Sequence, residues 1–192
     1  MRIGSRGARL GFTLIELMIV VAITGILSML AAYGVRKYIA STKTSEARNA
    51  LGRMANAAAI AFEHENMSSP VLAPGTSSAL TRALCKSASK TVPASISQVA
   101  GRKYQSTTDD WNVDGAGNSG FACLHFTIDQ PQYYMYAYAA AGSSSPGDTF
   151  TATANGDLNG DGVLSTFQLT GMINADYVIN LAPNMVEITP EE

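Results

Sequence analysis

Histidine, cysteine and tryptophan are scarce in this chain of 192 residues, with two, two and one respectively, and only 15% of the residues are charged. Each scarcity excludes something. His64 and His125 stand apart in the sequence, with no Ser or Cys in a recognisable nucleophile context, so they read as surface or packing residues and the chain does not read as an enzyme. Two cysteines without a neighbouring histidine cluster exclude a zinc centre of the usual ligand spacing. The net charge is −2, and the pair Arg102-Lys103 is the one basic step in the later chain, which a solvated loop explains. A general nucleic-acid surface is therefore not expected.

What is present is distributed unevenly. The first eleven residues carry Arg2, Arg6 and Arg9 and no acidic residue, a bias that holds the extreme N-terminus on the cytoplasmic side of a membrane. From Phe12 to Tyr33 the chain is almost wholly apolar, long enough to cross a bilayer core. Thr13, Thr24 and Ser28 interrupt it only mildly, and Gly25 is its small residue. Glu16 is the anomaly. An ionised carboxylate in such a segment costs on the order of a few kcal/mol even with snorkelling, so residues of this kind face a partner or a function. A secretory signal peptide would place a small-residue cleavage site after its apolar region, whereas residues 28–32 (SMLAA) offer a poor one and run on into more helical sequence. A plain single-pass anchor does not account for Glu16.

The junction Gly11-Phe12 and the following residues, GFTLIELMIVV, resemble the N-terminus of type IV pilins and of the pilin-like subunits of type II secretion. The resemblance implies that residues 1–11 are a leader cut after Gly11 by a prepilin peptidase, that the new amino group of Phe12 is N-methylated, and that Glu16 serves assembly by pairing with a neighbour's amino terminus. It also implies a single pass in the inner membrane with a periplasmic C-terminal domain, and an extracellular pilus after assembly. Where the family often carries a proline about eight residues beyond the position of Gly25, this chain has Tyr33-Gly34. Removing the leader leaves ten basic against fifteen acidic residues.

Beyond the apolar stretch, Ala40, Ala47, Leu51, Met54, Ala58 and Ala61 recur at three- and four-residue steps, while Arg36, Lys37, Lys43, Arg48, Arg53 and Asn56 fall largely elsewhere on the wheel. One helix over residues 12–65 is expected, roughly 80 Å long at about 1.5 Å per residue. Residues 12–35 form its apolar membrane or filament-core half, which should protrude, and residues 36–66 its amphipathic half. Residues 68–75 (SSPVLAPG) break it and open an irregular stretch to about residue 120, with a short helix suggested over 77–86. In the pilin family the matching region is the variable loop between helix and sheet, here 67–120. Strands are expected over 121–128, 132–141, 148–155 and 164–172, with a short edge strand over 186–189. The fold class is thus α+β, a pilin-like roll in which the long helix packs on a four-stranded antiparallel meander, 121–192. In the strand around Tyr133, Tyr134, Tyr136 and Tyr138, alternate tyrosines should enter the core, and Trp111 should staple its loop to the domain.

Cys85 and Cys123 both fall on the exported side, where an even count reads first as a disulfide, tying the irregular segment to the first strand; two separately buried thiols are the alternative. Asp157, Asn159, Asp161 and Val163 match the first half of an EF-hand-type calcium loop, with Gly162 at the sharp turn. Its second half departs, since Gln168 stands where a bidentate Glu is expected; Ser165 or Asp176 would have to complete the shell. Asp, Asn and Gly are also the preferred turn formers, so a metal-free turn is the competing reading. Three functions follow: a type IV pilus subunit, major or minor, serving adhesion, twitching motility or DNA uptake; a pseudopilin of a type II secretion system; or a membrane-tethered calcium-binding module. Identical or homologous pilin subunits and the inner-membrane assembly machinery are the expected partners.

Overall fold

The computed structural model describes residues 11–64, 66–67, 74–77, 80–115 and 118–190. The leader arginines, the helix end expected at Glu65 and residues 68–73 of the expected breaker lie outside the described residues. One α-helix, α1, spans Leu14–Glu63, and it passes Gly25 and Gly34 without a break. The chain divides into two compact units, Met1–Ile39 and Ala40–Glu192.

In the first unit the described apolar side chains of the helix are exposed. Phe12 is 75% exposed, and Leu14, Ile19, Val21, Ile26, Leu30 and Tyr33 are likewise exposed. The mean hydropathy of its most apolar 18-residue window is 2.4, with length and composition sufficient to cross a membrane. The hydroxyls do not spoil this surface. Thr24 donates to the carbonyls of Val20 and Val21 at 2.9 and 3.1 Å, and Ser28 to that of Thr24 at 2.7 Å, so both are satisfied within the helix.

The second unit is built on the amphipathic half of α1 and one antiparallel sheet. Strands β1 (Asn66–Met67) and β2 (Leu80–Thr81) form a small separate pair. Short helices follow: a 3-10 turn at Ile96–Gln98, α2 at Thr108–Trp111 and α3 at Gly120–Cys123. The main sheet comprises β3 (Met135–Ala141), β4 (Thr149–Gly156), β5 (Ser165–Ile173), β6 (Ile179–Leu181) and β7 (Val186–Ile188). Its order is β3-β4-β5, after which β6 and β7 share the other edge of β5, β6 at its end and β7 at its start. The core joins Ala47, Leu51, Met54, Ala58 and Phe62 of α1 to Tyr134, Tyr136, Tyr138, Phe150 and Phe167. Alternation puts Tyr134, Tyr136 and Tyr138 inside and leaves Tyr133 half-buried, as the period of two requires. Two strand glycines make room for rings: a Cβ at Gly156 would lie 2.6 Å from the Tyr134 ring, and one at Gly171 would overlap Phe150.

The meander has five strands, not four, and two sequence expectations are corrected. Residues 121–128 are not a strand. Ser119 precedes a left-handed Gly120 (φ 61°) that starts α3, and Phe121 and Phe126 turn inward to meet the Trp111 ring edge-on at 5.0 and 5.4 Å. That aromatic cluster and the cystine outweigh the strand-like alternation of the segment. Nor is 77–86 a helix, because Leu80–Thr81 pairs with Asn66–Met67 and Lys86 bridges to Ser119. Trp111 is buried in the core and does staple its loop.

Candidate functional site: a carboxylate in an apolar helix and a buttressed folded unit

Glu16 lies in the first turn of α1, where a negative charge is favoured by the helix dipole. Thr13 Oγ1 accepts the Glu16 amide at 3.3 Å and donates to Glu16 Oε2 at 3.4 Å. The carboxylate is thus held one turn from Phe12, on an exposed apolar stretch, with an acceptor left over. Gly11 and Phe12 precede the helix and are exposed, Phe12 at 75%.

In the folded unit polar residues of α1 hold the helix to the sheet side, and the first of them, Glu46, was not among those singled out by periodicity. Glu46 Oε1 accepts the Tyr133 amide at 2.8 Å and the Tyr136 hydroxyl at 3.2 Å. Burial raises its carboxyl above the ordinary value, against the lowering effect of these bonds and of Lys103. The same burial pushes the Tyr136 phenol well up, with the Glu46 charge adding to it. Tyr133 carries two cations over its ring, Lys43 Nζ at 4.8 Å and Lys103 Nζ at 4.6 Å from the centroid. No sequence pattern marks this group, since Lys43, Lys103 and Tyr133 come from three separate segments. A polar Glu46 beside the core position Ala47 is the one signal that was available.

Cys85 and Cys123 form a disulfide with Cα atoms 5.9 Å apart. It ties the irregular segment to α3 and not to a strand. Cys123 also lines a groove of about 490 Å³ together with Ile60, Leu124, His64 and His125. The two histidines, far apart in sequence, therefore share one groove.

The turn at Asp157 is folded by its own side chains. Asp157, 3% exposed, accepts the amides of Gly160 at 2.6 Å and Gly162 at 3.1 Å, one on each oxygen. Asn159 accepts the amide of Asp161 at 2.9 Å, and Asp161 that of Val163 at 2.8 Å. Gly101 donates to the Asp157 carbonyl at 2.8 Å from behind. Each Asp157 oxygen keeps a lone pair, yet Asp157, Asn159, Asp161 and the Val163 carbonyl fall short of the six to eight oxygens calcium takes. No group of three or more His, Cys, Asp or Glu suited to a metal occurs among the described residues. Gln168 sits in β5 opposite Thr153 and Val186, and Ser165 Oγ donates to the Gly156 carbonyl. The shell is partial.

Residues 6–32 match the family described as the prokaryotic N-terminal methylation motif, the class III leader signature of type IV pilins. No curated protein and no solved structure matches the chain. The match covers the leader junction, Glu16 and the apolar helix, and it implies processing by a prepilin peptidase. A long N-terminal helix with an antiparallel sheet fits the pilin fold. The motif supports a type IV pilin or pseudopilin-like precursor and implies a structural subunit, and the apolar helix fits membrane anchoring before assembly.

Proposed function

We propose that the chain is a subunit of a type IV pilus, cut between Gly11 and Phe12, N-methylated on Phe12 and polymerised through its apolar helix into an extracellular filament. The observation that carries this reading is the methylation motif over residues 6–32 placed on an exposed apolar helix that holds Glu16. In a fibre core of low dielectric, an unpaired carboxylate is costly and a matched cation is worth far more than at a surface. The amino terminus of Phe12 on a neighbouring copy is that cation. Before assembly the folded unit lies in the periplasm; afterwards it forms the filament surface, for adhesion, twitching motility or DNA uptake.

Intact mass of the membrane-extracted protein tests the first step, and retention of Met1 to Gly11 would remove the proposal. Glu16→Ala is expected to be cut and inserted yet absent from sheared filaments, with Glu16→Asp partly active; normal incorporation of Glu16→Ala would defeat it. The motif is shared by pseudopilins, so loss of protein export without loss of surface fibres on deleting the gene would move the chain to a type II secretion system. The Asp157 turn supports a subsidiary proposal, weak occupancy by calcium, on the lone pairs left by two carboxylates facing one turn.

A further inference from the structure

Lys43 and Lys103 are brought to one half-buried tyrosine ring from two different elements, the start of the amphipathic helix and the irregular segment. Lys103 is not on a loose loop. Gly101 donates to the Asp157 carbonyl at 2.8 Å, and Tyr104 exchanges two backbone bonds with Gln132 at 2.9 and 2.8 Å, so the residue between is fixed on both sides. Glu46 is the carboxylate at hand, and its Oε1 is engaged by Tyr133 and Tyr136. The result is a preformed seat of cations around an aromatic ring, on a chain whose processed form is acidic.

A complementary feature lies at the other end of the sheet. Between β5 and β6, Asn174 Oδ1 accepts the amides of Asp176 at 3.0 Å and Val178 at 2.9 Å, and the Asn174 amide donates to the Val178 carbonyl at 2.9 Å. This rigid turn presents the exposed Asp176 beside Tyr177 and Val178, 52% and 47% exposed. Tyr177 is held in the left-handed region at φ 57°, a conformation that costs a bulky residue energy. The register fixes the separation. Tyr133 precedes Met135, which pairs with Asn155, and Asn155 pairs with Thr166 near the start of β5, whereas the turn follows Ile173 at its end. At about 3.4 Å per residue, nine residues of β5 set the two features roughly 27 Å apart. A chain cannot satisfy its own seat, and contact between unlike surfaces of successive copies propagates as an open filament wherever its rotation does not close into a ring.

We propose that the Lys43, Tyr133 and Lys103 seat receives the Asp176 to Val178 turn of a second copy, so that folded units stack head to tail. The inference rests on the filament reading above and adds the residues of the contact. Opposite charge steers and registers the encounter; the covered tyrosine and valine supply apolar burial, and two rigid partners lose little freedom on docking.

Charge reversal tests it in the full chain. Lys43→Glu with Lys103→Glu, and separately Asp176→Lys, should each lower the yield of sheared filaments by about fivefold, the scale an exposed ion pair permits. Combining all three should restore it. Purified full-length protein in detergent, sedimented at low and high salt, should self-associate only at low salt, and each reversal should abolish this. Disulfide formation and an unchanged melting curve confirm that each variant is folded, and Asp176→Asn provides a milder change in the same direction. Unchanged yield and sedimentation in the reversed variants, as for a seat that serves an external polyanion, would overturn the contact while leaving the filament reading intact. Loss without rescue would overturn the pairing of these two surfaces. If the wild type forms no fibre, the filament reading fails by itself, and sedimentation that is indifferent to salt overturns the contact as well.

Discussion

Arg48 and Glu187 meet across 139 residues of sequence in a two-pronged ion pair, Nε to Oε1 at 2.7 Å and Nη2 to Oε2 at 2.9 Å. The guanidinium also lies over the Phe167 ring, 5.8 Å from its centroid. This clamp fastens β7, whose three residues are exposed and which pairs with β5 along one side, to the helix. A bidentate geometry is the kind of surface pair that contributes measurably, about 0.5 to 1 kcal/mol.

Glu187→Gln should therefore lower the melting temperature by a few degrees and speed amide exchange in Val186 to Ile188 ahead of the other strands. The hydrogen bond from Arg48 holds the Glu187 carboxyl below its ordinary value, so its contribution is present at neutral pH and is lost as pH falls through the carboxylate range. Wild type and variant should converge at acid pH. Equal exchange in β7 at neutral pH would show that the clamp holds nothing.

Glu46 has the opposite sign. Burial raises its carboxyl above the ordinary 4.5, so the folded chain holds that proton more tightly than the unfolded chain. Its contribution is full below the ordinary value and is lost as pH rises through the raised one. Glu46→Gln keeps an oxygen for the Tyr133 amide and the Tyr136 hydroxyl but has no charge to bury. Its melting temperature should thus fall less than that of the wild type as pH rises from the carboxyl range to neutrality. Parallel curves would mean that Glu46 is as well solvated when folded as when unfolded.

The Cys85 to Cys123 bridge closes a segment of 38 residues, for which the chain-entropy estimate is about 4 kcal/mol. Reduction, or Cys123→Ser, should lower the melting temperature strongly and release α3. Loss of edge-on packing at Trp111 should then appear as a change in its fluorescence. A reduced chain that melts at the oxidised temperature would assign the stability to the aromatic cluster alone.

The helix, strands β3, β4 and β5, the edge strand β7 between Pro183 and Pro190, and the cystine were legible because each rests on a local period, a pair of breakers or a count. Tyr134, Tyr136 and Tyr138 alternate, and Ala47, Leu51, Met54 and Ala58 recur at helical spacing. Residues 121–128 misled because FACLHFTI alternates like a strand, while what decides its shape is remote: Trp111, ten residues before Phe121, and Cys85. Strand β6 has three residues, too few to show a period. The Tyr133 seat was illegible for a related reason, since a basic pair at 102–103 looks like any solvated loop until the sheet places Tyr133 beside it. The methylation motif, by contrast, is linear, so Glu16 could be read without a structure.

Calcium at the Asp157 turn separates into two measurable parts. Asp157→Ala removes the buried carboxylate that accepts the Gly160 and Gly162 amides and should destabilise the folded unit by about 1 to 3 kcal/mol with chelator present, because these charge-assisted bonds are lost whether or not an ion is bound. Asp161→Ala removes an exposed carboxylate and should cost little in chelator. A partial shell points to a dissociation constant of roughly 10⁻⁴ to 10⁻³ M, so about 10 mM calcium would stabilise the wild type by about 1.4 to 2.7 kcal/mol by mass action. For a chain of this size that is a rise of several degrees, and magnesium, which demands a smaller and stricter octahedron, should not reproduce it. Both alanine variants should lose the calcium increment, though only Asp157→Ala should start from a lowered baseline. A wild-type curve unmoved by calcium, with the Asp157→Ala baseline still depressed, would leave a turn closed entirely by its own hydrogen bonds.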